Sequence, residues 1–131
     1  MTIKPVGVTL ATLLSSGLVL AAVTQPADTT APRVVLVTAE RFAFTPSEVT
    51  VSPGTEIEFR LKSEDTSHGF RILGHPVEIT IPKRGRGDAT VRFIPPGPGT
   101  YTFECSRMCG AGHSFMRGTI TVKPPVGKEP R

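Results

Sequence analysis

Short runs of alternating apolar and polar residues fill the chain between residues 33 and 122. The clearest is 55–62, in which Ile57, Phe59 and Leu61 fall on one face and charged residues fall on the other. Such alternation predicts a β-strand with one face on the core and one face in water. Alternation and β-branched runs predict further strands at 33–39, 48–51, 68–73, 77–81, 89–94, 100–105 and 117–122.

Proline and glycine separate these runs. The chain contains 13 glycines and 13 prolines and no tryptophan, a composition rich in turns and poor in helix formers. Ser52-Pro53-Gly54 has proline and glycine where a type II turn requires them, and residues 95–99 form another rigid turn. The same part of the sequence shows no amphipathic helix pattern. About seven or eight short strands between such turns predict an all-β fold of two packed sheets.

The N-terminal segment, residues 1–31, differs from the rest in composition. Lys4 is the lone positive charge before an apolar stretch from Val6 to Val23. The length of this stretch lies between that of a signal-peptide core and that of a membrane span, and small residues at its end offer a cleavage site. A buried soluble helix is disfavoured, because the stretch is terminal and lacks polar periodicity. Both remaining interpretations, a cleaved signal and a retained anchor, export the rest of the chain across the cytoplasmic membrane.

A polar linker ends the N-terminal segment, and we place the single domain at residues 32–123. Residues 124–131 are expected to form a disordered tail. The net charge of +4 is too mild and too scattered to indicate nucleic-acid binding. Residues 82–87, PKRGRG, form a basic turn that is either a solvated loop or a docking patch for an acidic partner.

The stretch from Cys105 to Met116, CSRMCGAGHSFM, carries the chemistry of the chain. It contains both cysteines, one of the three histidines and two of the three methionines. Thiolate, imidazole and thioether are soft or borderline ligands, the set that selects copper over magnesium, calcium or manganese. A single copper needs one Cys, two His and a weak Met, and a second thiolate lets two sulfurs bridge two copper ions. The second imidazole must come from elsewhere, and His68 is the best candidate.

Two other uses of these residues compete with copper. Two cysteines in an exported protein most often form a disulfide, but the spacing Cys-x3-Cys-x3-His-x2-Met argues against a simple one. Zinc is the second competitor, because two cysteines and two histidines make a closed tetrahedron. Those four residues would be Cys105, Cys109, His113 and His68. Zinc gives no role to Met116.

The stretch resembles the binuclear copper A (CuA) loop of cytochrome c oxidase subunit II, whose usual form is C-S-E-I-C-G-x-x-H-S-x-M. The upstream segment from Asp65 to Phe70, DTSHGF, is similar to the first-histidine segment of that family. The resemblance covers roughly Val34 to Lys123 and implies a cupredoxin-like Greek-key β-sandwich. Carried over position by position, it implies copper binding by His68, Cys105, Cys109, His113, Met116 and the backbone carbonyl of Arg107.

The resemblance also implies a function. The chain would be a one-electron carrier with two copper ions. It would take electrons from a cytochrome c or a small copper protein and pass them to the catalytic subunit of a haem–copper oxidase. The family favours a retained single membrane anchor, with the copper domain facing the periplasm or the cell exterior. The sequence offers no nucleophile–base pair and no open metal position, so we expect no catalysis by this chain alone.

Three features depart from the family pattern. Arg107 replaces the usual glutamate between the cysteines, and there is no tryptophan, although the family often uses a surface one for electron entry. The chain is also basic, whereas oxidases that dock a basic cytochrome c present an acidic face. Met108, at an apolar position of the family, is expected to be a core residue, and His75 is not a predicted ligand. A stand-alone periplasmic copper carrier or assembly factor, and a structural zinc or disulfide domain, stay open as alternatives.

Overall fold

The described part of the chain is residues 31–125 and residue 127 of a computed structural model. The apolar stretch predicted as a signal peptide or anchor lies outside the described residues, as does most of the predicted tail. Over the described range, no helix has the length and apolarity needed to cross a membrane. The predicted domain, residues 32–123, is described throughout.

Strands account for nearly all regular structure in this range. The eight predicted strands are present, with ends within two residues of those expected, and the prediction of an all-β fold is confirmed. The structure adds a ninth strand at Ala43–Thr45 and one turn of 3₁₀ helix at His113–Phe115. In chain order the strands are β1 (Arg33–Glu40), β2 (Ala43–Thr45), β3 (Glu48–Val51), β4 (Ile57–Ser63), β5 (His68–Ile72), β6 (Val77–Ile81), β7 (Ala89–Phe93), β8 (Gly99–Glu104) and β9 (Arg117–Val122).

The strands form two sheets, as the sandwich prediction requires. One sheet has four strands in the order β2-β1-β4-β7, and the other has five in the order β3-β9-β8-β5-β6. β1 pairs in parallel with β4, and β3 pairs in parallel with β9, while the other pairs are antiparallel. Strands adjacent in sequence therefore often lie in different sheets, and this crossing connectivity gives the cupredoxin-like sandwich that was expected.

Aromatic side chains fill the space between the sheets. Phe44, Phe59, Phe70 and Phe103 are almost completely buried, with ring centroids 5.1–6.2 Å apart. Burying a side chain of this size contributes about 2 kcal/mol, so the four rings anchor strands from both sheets to one another. The packed core thus fixes the positions of the strands, and with them the ends of the loops that connect the strands.

One residue on the predicted solvent face of β4 is buried. Glu58 is only 7% exposed, although the alternation of β4 places it opposite the core residues. Arg60 lies 2.8 Å from one carboxylate oxygen, and Arg92 of the neighbouring strand lies 2.7 Å from the other. Hydrogen bonds from Arg60 and Arg92 hold the pKa of Glu58 below its ordinary value. The two long arginine side chains cover the carboxylate, which the pattern of a single strand does not reveal.

Four connections gather at one end of the sandwich, which we call the loop end. They join β1 to β2, β4 to β5, β6 to β7 and β8 to β9. The register requires this arrangement, because Ala39 lies opposite Ser63 and Glu104 lies opposite Arg117. The basic turn at residues 82–87 belongs to the same end, where the Arg84 N–H donates to the Asp65 carbonyl at 3.0 Å. The chain segments that carry the predicted metal ligands therefore meet in space.

Candidate metal centre

Strand β8 delivers Cys105 to the loop end. Phe103 and Cys105 are both buried, as the alternation of the strand predicts. The Cys105 N–H donates to the Met116 carbonyl at 2.9 Å, which closes the base of the loop between β8 and β9. This twelve-residue ligand loop, Cys105 to Met116, is thereby fixed at both ends by strands of the five-stranded sheet.

His68 reaches the same place as the first residue of β5, and it is fully buried. Its Nε2 lies 2.7 Å from Asp65 Oδ1, and its Nδ1 lies 3.9 Å from Cys105 Sγ. Burial alone would raise the pKa of Asp65, but its contacts with His68 and with the N–H groups of Arg41 and Thr66 hold it below the ordinary value. An ionised carboxylate only accepts hydrogen bonds, so Nε2 donates to Asp65, and Nδ1 is the ring nitrogen that faces the sulfur.

Gly69 lets β5 approach the ligand loop closely. A Cβ atom at this position would lie 2.2 Å from Ser106 Oγ and 2.7 Å from the Arg107 nitrogen, both closer than real contacts allow. The Gly69 N–H instead points at Cys105 Sγ, at 3.5 Å. The histidine–glycine pair therefore brings an imidazole against the loop without a side chain to hold it away.

The structure brings the six predicted donor positions together. The two cysteine Sγ atoms are 3.8 Å apart, and His113 Nδ1 and Met116 Sδ each lie 3.8 Å from Cys109 Sγ. On the other side, Cys105 Sγ lies 3.1 Å from the Arg107 carbonyl oxygen. The ligand atoms of His68, Cys105 and Cys109 all lie within 4.8 Å of one another.

Burial separates the donors from their neighbours in the loop. His68, both cysteines and Met116 are buried, His113 is half-buried, and the Arg107 side chain is exposed. The expectation that Met108 belongs to the core is wrong, because this side chain is 76% exposed. Cys109, the next residue, is turned inward, and Met108 is left in water. Phe115 is similarly 80% exposed beside buried Met116.

The two cysteines are separate thiols at a distance far beyond the roughly 2.05 Å of a disulfide bond. Burial raises the pKa of Cys109 to about 11, and the neighbouring Cys105 thiol adds to the increase. Such a thiol is protonated at neutral pH, so a bound metal must displace its proton. Sulfur and imidazole donors facing one buried spot fit copper or zinc and do not fit hard cations.

Sequence reasoning missed two residues of the turn between β1 and β2. Arg41 Nε donates a hydrogen bond to the Cys109 carbonyl at 2.7 Å. Phe42 packs its ring on the glycine backbone at Gly110 and Gly112. Neither residue type is a metal ligand, and both lie more than sixty residues before the loop. Only the meeting of the loops at one end of the fold reveals them.

The remaining histidine lies away from this centre. His75 follows β5 at the opposite end of the sandwich, and its ring packs at centroid distances of 5.0 Å from Phe93 and 5.4 Å from Tyr101. The Tyr101 hydroxyl donates to the Gly97 carbonyl at 2.6 Å. His75 is thus part of an aromatic cluster and does not join the donors.

The fold and the donor set together define a class of protein, a β-sandwich that gathers soft metal ligands in the loops at one end. Residues 13–122 match the family of cupredoxin-like domains. The chain belongs to this family.

Known relatives agree with this assignment. Two cytochrome c oxidase subunit 2 sequences from Thermus thermophilus are 38% identical over 90 residues, or 68% of this chain. The match spans 64% of one relative and 52% of the other, so each is considerably longer than the matched part. The periplasmic domain of cytochrome oxidase subunit II from Bradyrhizobium japonicum superimposes with a TM-score of 0.63 at 20% identity, over 77% of this chain and 88% of that one.

A blue copper protein also shares the fold. Auracyanin A, a blue copper protein from Chloroflexus aurantiacus, superimposes with a TM-score of 0.58 at 18% identity, over 70% of this chain and 99% of that one. The sandwich alone therefore does not distinguish between kinds of copper centre. That distinction depends on the donors in the loops.

Proposed function

We propose that this chain is a copper-binding electron carrier with a binuclear CuA centre. The donors are His68, Cys105, Cys109, His113 and Met116, with the backbone carbonyl of Arg107. Two copper ions held by these residues would supply one-electron redox chemistry. The chain supplies the positions of the ligands and buries most of them.

The pairing of donors around the two sulfurs carries this proposal. Cys105 Sγ has an imidazole, that of His68, at 3.9 Å and a weak donor, the Arg107 carbonyl, at 3.1 Å. Cys109 Sγ likewise has the imidazole of His113 and the thioether of Met116, each at 3.8 Å. Two sulfurs with two matched sets of one imidazole and one weak donor suit a bridged pair of metal ions better than one ion. A single copper leaves part of this set without a role.

The surrounding structure suits electron transfer. Strands β8 and β9 hold the two ends of the ligand loop, and the hydrogen bond between the Asp65 carboxylate and His68 fixes one imidazole. Ligands held in this way would move little between the oxidation states of a bound metal, and a small rearrangement favours fast electron transfer. Half-buried His113 provides a short route between the buried donors and the surface.

The relatives support a particular place for this activity. By analogy with the oxidase subunit 2 sequences, the domain is exported and acts at the outer face of the cytoplasmic membrane. It receives electrons from a cytochrome c or a small copper protein and passes them to a haem–copper catalytic subunit. Exposed Met108 and Phe115, with Arg107 beside them in the loop, offer an apolar and positively charged contact surface for one of these partners.

Metal analysis combined with electron paramagnetic resonance (EPR) tests the proposal. After copper loading, the full chain should hold two copper ions and give a purple colour with hyperfine lines from both nuclei. Cys109→Ser should abolish this signal, because one bridging sulfur is lost. One copper per chain with lines from a single nucleus contradicts the binuclear centre. A colourless Cu(I) form favours a copper carrier, and selective zinc binding favours a structural site.

A further inference from the structure

The turn between β1 and β2 contacts both segments that carry the metal donors. Its tip is Arg41 and Phe42, and neither is a donor. Arg41 Nε donates to the Cys109 carbonyl at 2.7 Å, and the Arg41 backbone N–H donates to Asp65 Oδ2 at 2.9 Å. The other Asp65 oxygen lies 2.7 Å from His68 Nε2. One residue therefore links the segment of His68 to the loop of Cys109.

Phe42 covers the two glycines that follow closely after Cys109. A Cβ atom at Gly110 would lie 2.9 Å from the Phe42 ring, and one at Gly112 would lie 2.3 Å from it. The ring therefore lies directly on the backbone, an approach that a side chain at Gly112 would prevent. The carbonyls of these glycines accept hydrogen bonds from the N–H groups of His113 and Phe115, at 3.1 and 3.0 Å. The 3₁₀ turn that contains His113 thus begins directly beneath the Phe42 ring.

The middle of the ligand loop has few other restraints. The hydrogen bond from Cys105 to Met116 ties only its ends. In the described part of the chain, the Arg41 guanidinium is the group from outside the loop that hydrogen-bonds to the backbone of residues 109–112. Without this bond and the covering ring, that backbone faces water over several exposed residues and is free to move.

We propose that Arg41 and Phe42 form a clasp that positions residues 109–113 for metal binding before the metal arrives. Arg41 is a positioning residue and not a ligand, because a guanidinium has no acceptor atom. Donors that are already in place lose less conformational freedom when they bind a metal, so the clasp raises metal affinity. The identity of the metal rests on the proposed function, whereas the clasp itself is a property of the metal-free chain.

Hydrogen exchange of the metal-free full chain tests the clasp directly. In Arg41→Ala and Phe42→Leu, the amides of His113 and Phe115 should exchange about tenfold faster or more, while that of Ile120 in β9 should be unchanged. Arg86→Ala is the matched control, because it removes an equal charge from the exposed turn between β6 and β7 at the same end. It should leave all three amides as in the wild type.

Copper affinity provides the second measurement. Competition with a chromophoric Cu(I) chelator should show binding weaker by roughly 10–100-fold in Arg41→Ala, the range typical for groups that orient metal ligands. Arg41→Lys should recover part of the loss, because an ammonium group also donates to a carbonyl. Arg86→Ala should bind copper within about twofold of the wild type, since its contribution is only a screened surface charge.

The two measurements separate failure of the clasp from failure of the copper assignment. Unchanged exchange at His113 and Phe115 in the folded variants overturns the clasp, even where copper affinity falls. Faster exchange in a chain that binds no copper supports the clasp and contradicts the proposed function. If Arg41→Ala does not fold, Arg41→Lys and Phe42→Leu give the same comparison with smaller changes in charge and volume.

Discussion

One histidine begins strand β5 and another follows its last residue, and the two have different surroundings. His68 is fully buried at the loop end, with one ring nitrogen on the Asp65 carboxylate and the other facing a sulfur. His75 is partly exposed at the opposite end and packs against the rings of Phe93 and Tyr101. The same residue type thus serves as a candidate ligand in one place and as packing in the other. The partner atoms, and not the residue type, determine the role.

The difference extends to the two ends of the sandwich. At the loop end, buried sulfur and nitrogen atoms face one another, and charged groups such as Arg41 and Asp65 hold the segments that carry them. At the opposite end, the Tyr101 hydroxyl is satisfied by the Gly97 carbonyl, and aromatic rings fill the remaining space. Buried sulfur and imidazole groups that face one another mark the functional end, because they are the donors that a soft metal ion binds.

The largest difference is expected when the two histidines are substituted one at a time. His68→Asn should abolish the two-copper spectrum, because it removes an imidazole from the buried donor set. His75→Asn should keep both copper ions and lower stability by only about 1 kcal/mol through lost ring contacts. Metal content and EPR, with chemical denaturation of the metal-free forms, measure both. Loss of the spectrum in His75→Asn alone would reverse the assignment of the two residues.

A smaller effect is expected within the loop end, at the weak donor. Met116→Leu preserves the buried volume and should retain copper, but it should raise the reduction potential. The loss of a thioether donor destabilises the oxidised metal more than the reduced metal. Voltammetry of the copper-loaded chain measures the shift. Complete loss of copper from a variant that folds normally would mean that Met116 is an essential ligand and not a weak one.

The smallest effect is expected for Arg107, whose carbonyl and side chain have separate roles. Arg107→Ala should leave the two-copper spectrum nearly unchanged, because every residue has a backbone carbonyl. The potential should fall modestly, since a positive charge beside the metal is lost, and added salt should reduce the difference. Arg33→Ala at the opposite end is the control and should not change the potential. A destroyed copper spectrum in folded Arg107→Ala would show that the side chain shapes the loop.

Much of the scaffold follows from local pattern. The alternation of Ile57, Phe59 and Leu61 predicts the buried face of β4, and Pro53-Gly54 predicts its turn, where Gly54 has a φ of +76°. These features depend on neighbours in sequence, so the sequence displays them. The burial of Glu58 and the presence of β2 were not predicted, because both depend on tertiary contacts. Arg92 on another strand covers the Glu58 carboxylate, and pairing with β1 makes residues 43–45 a strand.

The metal centre also has one part that the sequence predicts and one part that it does not. The spacing of cysteines, histidine and methionine in the ligand loop predicts that these donors lie together, because a short loop keeps them close. The clasp residues Arg41 and Phe42 show no local signal, since they contact the loop only after two sheets have formed. Met108 was misjudged for a related reason: an apolar residue in a tight loop follows the direction of the backbone, and its neighbour Cys109 occupies the inward position.

The contact between His68 and Cys105 spans 37 positions of the chain, whereas the other donors lie within one short loop. A newly synthesised, unfolded chain therefore already presents sulfur and imidazole groups that trap metal ions, and such trapping opposes folding. The last imidazole joins only when β5 pairs with β8. Copper supplied after folding meets the full set, whereas copper supplied during synthesis meets an incomplete one. Delivery of the metal after folding therefore suits this chain better than delivery during synthesis.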